Sequence, residues 1–166
     1  MNFKRIFQHA LQTQSQLQRA FPHGTLSAIE QAIKAAEATH AGEIRFVVEG
    51  ALDGMPLLRG QTAHERAIEL FSQLRIWDTA HNNGLLIYLL LADKAVEIVA
   101  DRGIHAKVGP HAWTAVCRQM EHAFQHAQFE AGVIHGVQTV AGHLAQHFSP
   151  QMRAGNELPD APVVLK

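Results

Sequence analysis

Apolar residues return at helical spacing from the first positions of the chain. Phe3, Ile6, Phe7, Ala10, Leu11 and Leu17 stand among glutamines, which predicts a helix over 3–20. Phe21-Pro22-His23-Gly24 breaks the pattern. Ser27 and Glu30 then have capping-box spacing, and Ile29, Ala32, Ile33 and Ala36 stripe a second helix that Gly42 is placed to end. Ile44-Arg45-Phe46-Val47-Val48-Glu49 is β-branched and aromatic, as in a strand. A loop from Gly50 to Gln61 follows. Thr62 and Glu65 make another capping box before a third helix carrying Ala67, Leu70, Phe71 and Leu74. Leu85 to Ala92 is continuously apolar, the pattern of a strand covered on both faces. Asp93-Lys94 is a turn, and Ala95 to Ala100 returns as the second arm of a hairpin that Asp101-Arg102-Gly103 ends. Pro110 suits the first turn of a helix reaching about His126, with Trp113, Val116, Cys117, Met120 and Phe124 inward. Phe129 opens the last helix, which Pro150 stops.

This order predicts an α/β fold: a three-layer α/β/α sandwich with a short mixed β-sheet, a central hairpin, and helices on both faces. The first strand and Leu85–Ala92 are expected to run parallel through a right-handed crossover. Three segments are expected: an N-terminal helix over 1–24, the α/β domain over 25–149, and a tail over 150–166. The tail shows no periodicity, so mobility and tolerance of its removal are expected. In open sheets of this kind ligands favour the carboxyl ends of the strands, where the loop after Glu49 lies.

The 166 residues carry 14 Lys and Arg against 15 Asp and Glu, so no global basic field exists to hold nucleic acid. One cysteine, Cys117, excludes an intrachain disulfide and a multi-thiolate zinc site. The longest apolar run is far below the ~20 residues of a membrane helix, and the first residues lack a signal-peptide core. A cytoplasmic location without membrane insertion is expected. No glycine-rich nucleotide loop occurs, so no nucleotide cofactor is expected.

Twelve histidines raise the question of a metal. His122/His126 and His143/His147 have clip spacing, but each pair falls mainly off its helix's apolar stripe and reads as solvated surface. Asp78-Thr79-Ala80-His81-Asn82-Asn83-Gly84 is more informative. Its oxygen-bearing side chains suit a hard divalent cation, or a turn whose Asp and Asn bond their own backbone. Asp101-Arg102-Gly103-Ile104-His105 reads as a ligand-approach turn or a simple strand terminus. The hairpin brings the outer ends of its two strands together, so these two segments are expected to be neighbours.

Several short motifs, taken in order over about residues 25–148, resemble the TPM domain family of bacterial envelope proteins and chloroplast photosystem-repair proteins. They are Thr39-His40-Ala41-Gly42-Glu43-Ile44, Asn82-Asn83-Gly84-Leu85-Leu86-Ile87, Val96 to Gly103, and Ala123-Phe124 through Phe129-Glu130-Ala131-Gly132. The resemblance implies a three-layer domain, a divalent-ion site near the Asn-Gly loop, and the acid-phosphatase activity of some relatives. Asn82 stands where the family has aspartate, and His105 stands at an acidic family position.

Two readings follow. In the first, the domain is a module that binds a divalent metal or a partner. Asp78, Asn82, Asn83 and Asp101 hold calcium, magnesium or manganese, and the partner is a protein or a small phosphate-containing ligand. In the second, the same site is a metal-assisted, acid-phosphatase-like phosphomonoester hydrolase, with Arg102 neutralising charge and His105 as general acid or base.

Overall fold

A computed structural model describes residues 3–166. Strands β1 (Glu43–Glu49), β2 (Gly84–Leu90), β3 (Ala95–Ala100) and β4 (Val163–Leu165) form one mixed sheet in the order β3-β2-β1-β4. β1 pairs parallel with β2, from Glu43 opposite Gly84 to Glu49 opposite Leu90. The link between them runs through α4 (Gly54–Leu58) and α5 (Ala63–Gln73), as a parallel pair requires. β3 turns back antiparallel on β2.

Alternation along β1 divides two cores. Ile44, Phe46 and Val48 join the side chains of α3 (His23–Glu37), α7 (Pro110–Gln125) and α8 (Phe129–Ala145), including Ile33, Val116, Met120, Val137 and Leu144. On the other face Val47 joins Leu86, Tyr88 and Leu90 of β2 with Ala67 and Leu70 of α5. The result is the expected three-layer α/β/α sandwich. Every residue of β2 is buried, which accounts for its unbroken apolar run. Each such Leu or Ile contributes roughly 1.5–3 kcal/mol by leaving water.

Several elements depart from expectation. The first helix is two: α1 (Phe3–Leu11) and α2 (Gln14–Ala20), separated by a capping box in which the Thr13 side chain accepts the Gln16 N–H and Gln16 Oε1 accepts the Thr13 N–H at 2.8 Å. α1 turns its apolar stripe outward. Its Arg5 donates a bidentate pair of hydrogen bonds to Asp93 in the β2–β3 turn, and His9 Nε2 donates to the same carboxylate at 2.9 Å. His9 can donate there because its Nδ1 accepts the Leu52 N–H. Burial works to raise the Asp93 carboxyl, but these hydrogen bonds prevail and hold it below the ordinary range.

α3 starts at His23 rather than Ser27, with Pro22 at its N-cap, and ends at Glu37, short of Gly42. A short helix, α6 (Arg102–Val108), forms where only a turn was expected, with Asp101 as its N-cap. The tail over 150–166, expected to be mobile, is packed. β4 pairs parallel with β1, Leu158 is buried, and Arg153 donates to both the main-chain oxygen and the carboxylate of Glu37. The tail lacks periodicity because single residues anchor it, not a repeating face.

Candidate functional site

The β2–β3 hairpin sets Asp78–Gly84 beside Asp101–His105, in direct contact. The Asp101 N–H donates to the Gly84 oxygen at 2.9 Å, and the Gly103 N–H donates to the Asn82 oxygen at 3.1 Å. Gly103 allows this closeness by having no side chain, and Gly84 lets Ile76 approach in the same way. A Cβ on Gly103 would come within 2.5 Å of the Asn82 oxygen and 2.9 Å of the His81 oxygen, and one on Gly84 would collide with the Ile76 carbonyl. Asn82 holds φ of 49°, a left-handed conformation that asparagine tolerates.

Within this junction the predicted residues do different things. Asp101 is 6% exposed; its Oδ1 accepts the Arg102 N–H at 2.6 Å, while Oδ2 has no partner. Asn83 is buried. Its Nδ2 donates to the Ala41 oxygen at 2.5 Å, tying the start of β2 to the start of β1, and its Oδ1 has no partner. Asn82 is exposed and meets α6 through its main chain. Asp78 is exposed and forms an ion pair with Arg75 at 3.0 Å, outside the contact between the two segments. Arg102 and His105 lie exposed on α6, three residues apart and so on one face. The donor set that meets is therefore one carboxylate with neutral oxygens, which suits a hard cation in type. Among the described residues no group of three or more His, Cys, Asp or Glu side chains converges as a metal cage.

The junction lies at the amino ends of β1 and β2, opposite the carboxyl ends that the general rule favours. At the carboxyl ends Glu49 and Asp93 are already engaged. Arg66 makes a two-pronged contact with Glu49 at 2.9 Å, and Tyr88 donates to the same carboxylate at 2.6 Å. Asp93 is held by Arg5 and His9.

A second polar cluster, not anticipated from the sequence, lies beside the start of β1. Glu37 Oε1 accepts the Ile44 N–H at 2.8 Å, Glu43 accepts the Leu158 N–H at 3.1 Å, and Arg45 donates to the Pro159 and Ala161 oxygens. Burial pushes the Glu37 carboxyl up to about 8, against the opposing pull of the Ile44 N–H and Arg153. It also raises Glu43 and holds the His40 imidazole down to about 4. This cluster pins the tail, and Glu157 extends it to the junction by accepting the Ala80 N–H at 2.8 Å. Glu43, Arg45 and Glu49 alternate along an otherwise apolar strand. That alternation was the available signal that one face meets polar partners.

The other candidates have plainer settings. Cys117 is half-buried, and burial pushes its thiol up to about 12, as befits a core thiol. His122 and His126 are exposed, and His126 Nδ1 lies 2.9 Å from the His122 oxygen. An open groove of about 520 Å³ runs between α5, β3 and α7 and reaches the junction at His105.

The TPM domain family matches residues 16–143 of the chain. No curated protein matches it. Among solved structures it is similar to the BA42 protein of the psychrophilic bacterium Bizionia argentinensis, at 28% identity and a TM-score of 0.74, covering 85% of this chain and 92% of that one. The N-terminal domain of a protein from P. gingivalis shares the fold at 20% identity and a TM-score of 0.56, covering 71% of this chain and 74% of that one.

Proposed function

Because the chain belongs to the TPM domain family, we propose that it is a cytoplasmic binding module whose two-segment junction holds a divalent cation: calcium, magnesium or manganese. One observation carries this reading. Asp101 Oδ2 is a buried carboxylate oxygen with no hydrogen-bond partner, and an unpaired buried carboxylate is costly unless something positive meets it. Asp101 would supply the charge, and Asn83 Oδ1 and nearby main-chain carbonyls would supply neutral oxygens. A single carboxylate fits weak binding, with Kd on the order of 10⁻⁴–10⁻³ M. Asp78 would have to leave Arg75 to join.

When bound, the cation would supply a positive centre for an anionic ligand. Arg102 and His105 stand ready on the exposed face of α6 to bind a phosphate group or an acidic protein surface. The same pair favours the second reading, phosphomonoester hydrolysis. There Arg102 would hold the phosphate and His105 would carry a proton to or from the ester oxygen.

Calorimetric titration with calcium, magnesium and manganese tests the first reading. Heat of binding that disappears in Asp101→Asn and survives Asp78→Ala is expected; equal binding by Asp101→Asn would remove the site. Hydrolysis of phenyl phosphate that depends on added metal and falls at least about 100-fold in His105→Ala would establish the second reading.

A further inference from the structure

α1 is mounted with its polar side on the protein and its apolar side in solvent. His9 is buried, Arg5 is half-buried, and both hold Asp93. The opposite face presents Phe3, Phe7 and Leu11, which are 72%, 64% and 56% exposed. Their spacing of four residues lines them up along one side of the helix. A soluble domain ordinarily turns such a stripe inward, and a run of large exposed apolar side chains marks a surface that is covered in use. The Arg5–Asp93–His9 clamp fixes this orientation, so the outward stripe follows from the fold and not from fraying.

Neighbouring elements extend the surface. The Leu52 N–H to His9 contact brings the loop before α4 against α1, and α4 exposes Met55 and Leu58 at this same end of the sheet. Charge then selects among occupants. Residues 1–29 contain no Asp or Glu, but do contain Lys4, Arg5 and Arg19. Arg5 is engaged by Asp93, whereas Lys4 and Arg19 are exposed, as are Lys94 in the β2–β3 turn and Arg59 after α4. The exposed acids on this side are Asp53, the N-cap of α4, and Glu65 and Glu69, which line one pocket with Met55 and Arg59 but already accept from the Thr62 N–H and from Arg66. A second copy would bring the same basic helices together without carboxylates on them to pair. A surface that accepts aromatic and aliphatic side chains while offering negative charge answers both features.

We propose that α1, supported by α4, docks the domain onto an anionic lipid bilayer. Phe3, Phe7 and Leu11 enter the headgroup–acyl boundary and Lys4 meets the acidic headgroups. The helix lies on the surface and does not cross it. Among the described residues no helix is long and apolar enough to do so.

Co-sedimentation of the full chain with vesicles tests this, using phosphatidylcholine alone and phosphatidylcholine with about one-third phosphatidylserine. At least about tenfold stronger binding to the anionic vesicles is expected, weakening as salt rises. Phe7→Asp should abolish it, and Lys4→Glu should weaken the anionic preference alone. The melting temperature of Phe7→Asp should match wild type, because Phe7 is exposed. Equal sedimentation of wild type and Phe7→Asp would overturn the proposal. So would a concentration-dependent dimer of wild type that Phe7→Asp dissolves while vesicles bind neither protein.

Discussion

Glu37→Gln should flatten the fall in stability that the wild-type protein shows as pH rises from near neutral. Glu37 is 1% exposed and has its carboxyl raised from an ordinary 4.5 to about 8, chiefly by burial, with Glu43 and Asp160 adding to the rise. A carboxyl raised in the folded state binds its proton more tightly there than in the unfolded chain. Its stabilisation is therefore complete below 4.5 and is lost as pH rises through about 8. His40 works in the opposite sense. Its imidazole is lowered from 6.5 to about 4, so stability is gained as pH rises across that interval. The two effects oppose each other up to pH 6.5, and of the two only Glu37 acts from there to about 8.

At about 1.4 kcal/mol per pH unit, Glu37 removes about 2 kcal/mol across that upper window. Glutamine keeps an oxygen to accept the Ile44 N–H and has no charge to desolvate. Urea unfolding of both proteins at pH 6.5 and at about pH 8 measures the difference, the wild type losing about 2 kcal/mol more than the variant. Glu43, also raised by burial, contributes with the same sign in both proteins. Parallel losses in wild type and Glu37→Gln would refute the reasoning.

Truncation after Pro150 removes β4, the buried Leu158 and the Arg153–Glu37 contact. It should cost roughly 3–5 kcal/mol and lower the melting temperature by more than about 5 °C; an unchanged melting temperature would show the tail to be dispensable. Gly103→Ala places a methyl within 2.5 Å of the Asn82 oxygen and should destabilise by about 1–3 kcal/mol, measured by denaturant unfolding. Gly24→Ala, which meets nothing within 4 Å, should be neutral or slightly stabilising and serves as the control.

Where the hydrophobic pattern was long and self-consistent, it determined the element. The unbroken Leu85–Ala92 run holds the two-sided strand β2, which spans Gly84–Leu90, the Thr62–Glu65 box starts α5, and Pro110 opens α7. The hairpin geometry also sets Asp101 beside Gly84, because antiparallel pairing brings the outer ends of its two strands together. The pattern failed where one distant partner outweighs local periodicity. Asp93 needs Arg5 and His9 and so rotates α1 by its polar side. The tail is held by Glu37, Glu43 and Arg45, residues more than one hundred positions away. Asp78 looked like a ligand by type, yet its neighbour Arg75 engages it. No local spacing encodes the Asp93 clamp or the tail anchors, because each depends on which charges the folded sheet brings together, whereas Arg75 lies only three residues from Asp78.

Asp101 is the residue through which we propose that the junction between Asp78–Gly84 and Asp101–His105 holds a hard divalent cation. Following backbone amide resonances during a calcium titration tests it most directly. Saturable shifts centred on Asn83, Gly84, Asp101 and Arg102 are expected, with Kd on the order of 10⁻⁴–10⁻³ M, and their loss in Asp101→Asn. Shifts that gather instead at Glu37 and Glu43, or that persist unchanged in Asp101→Asn, would contradict it.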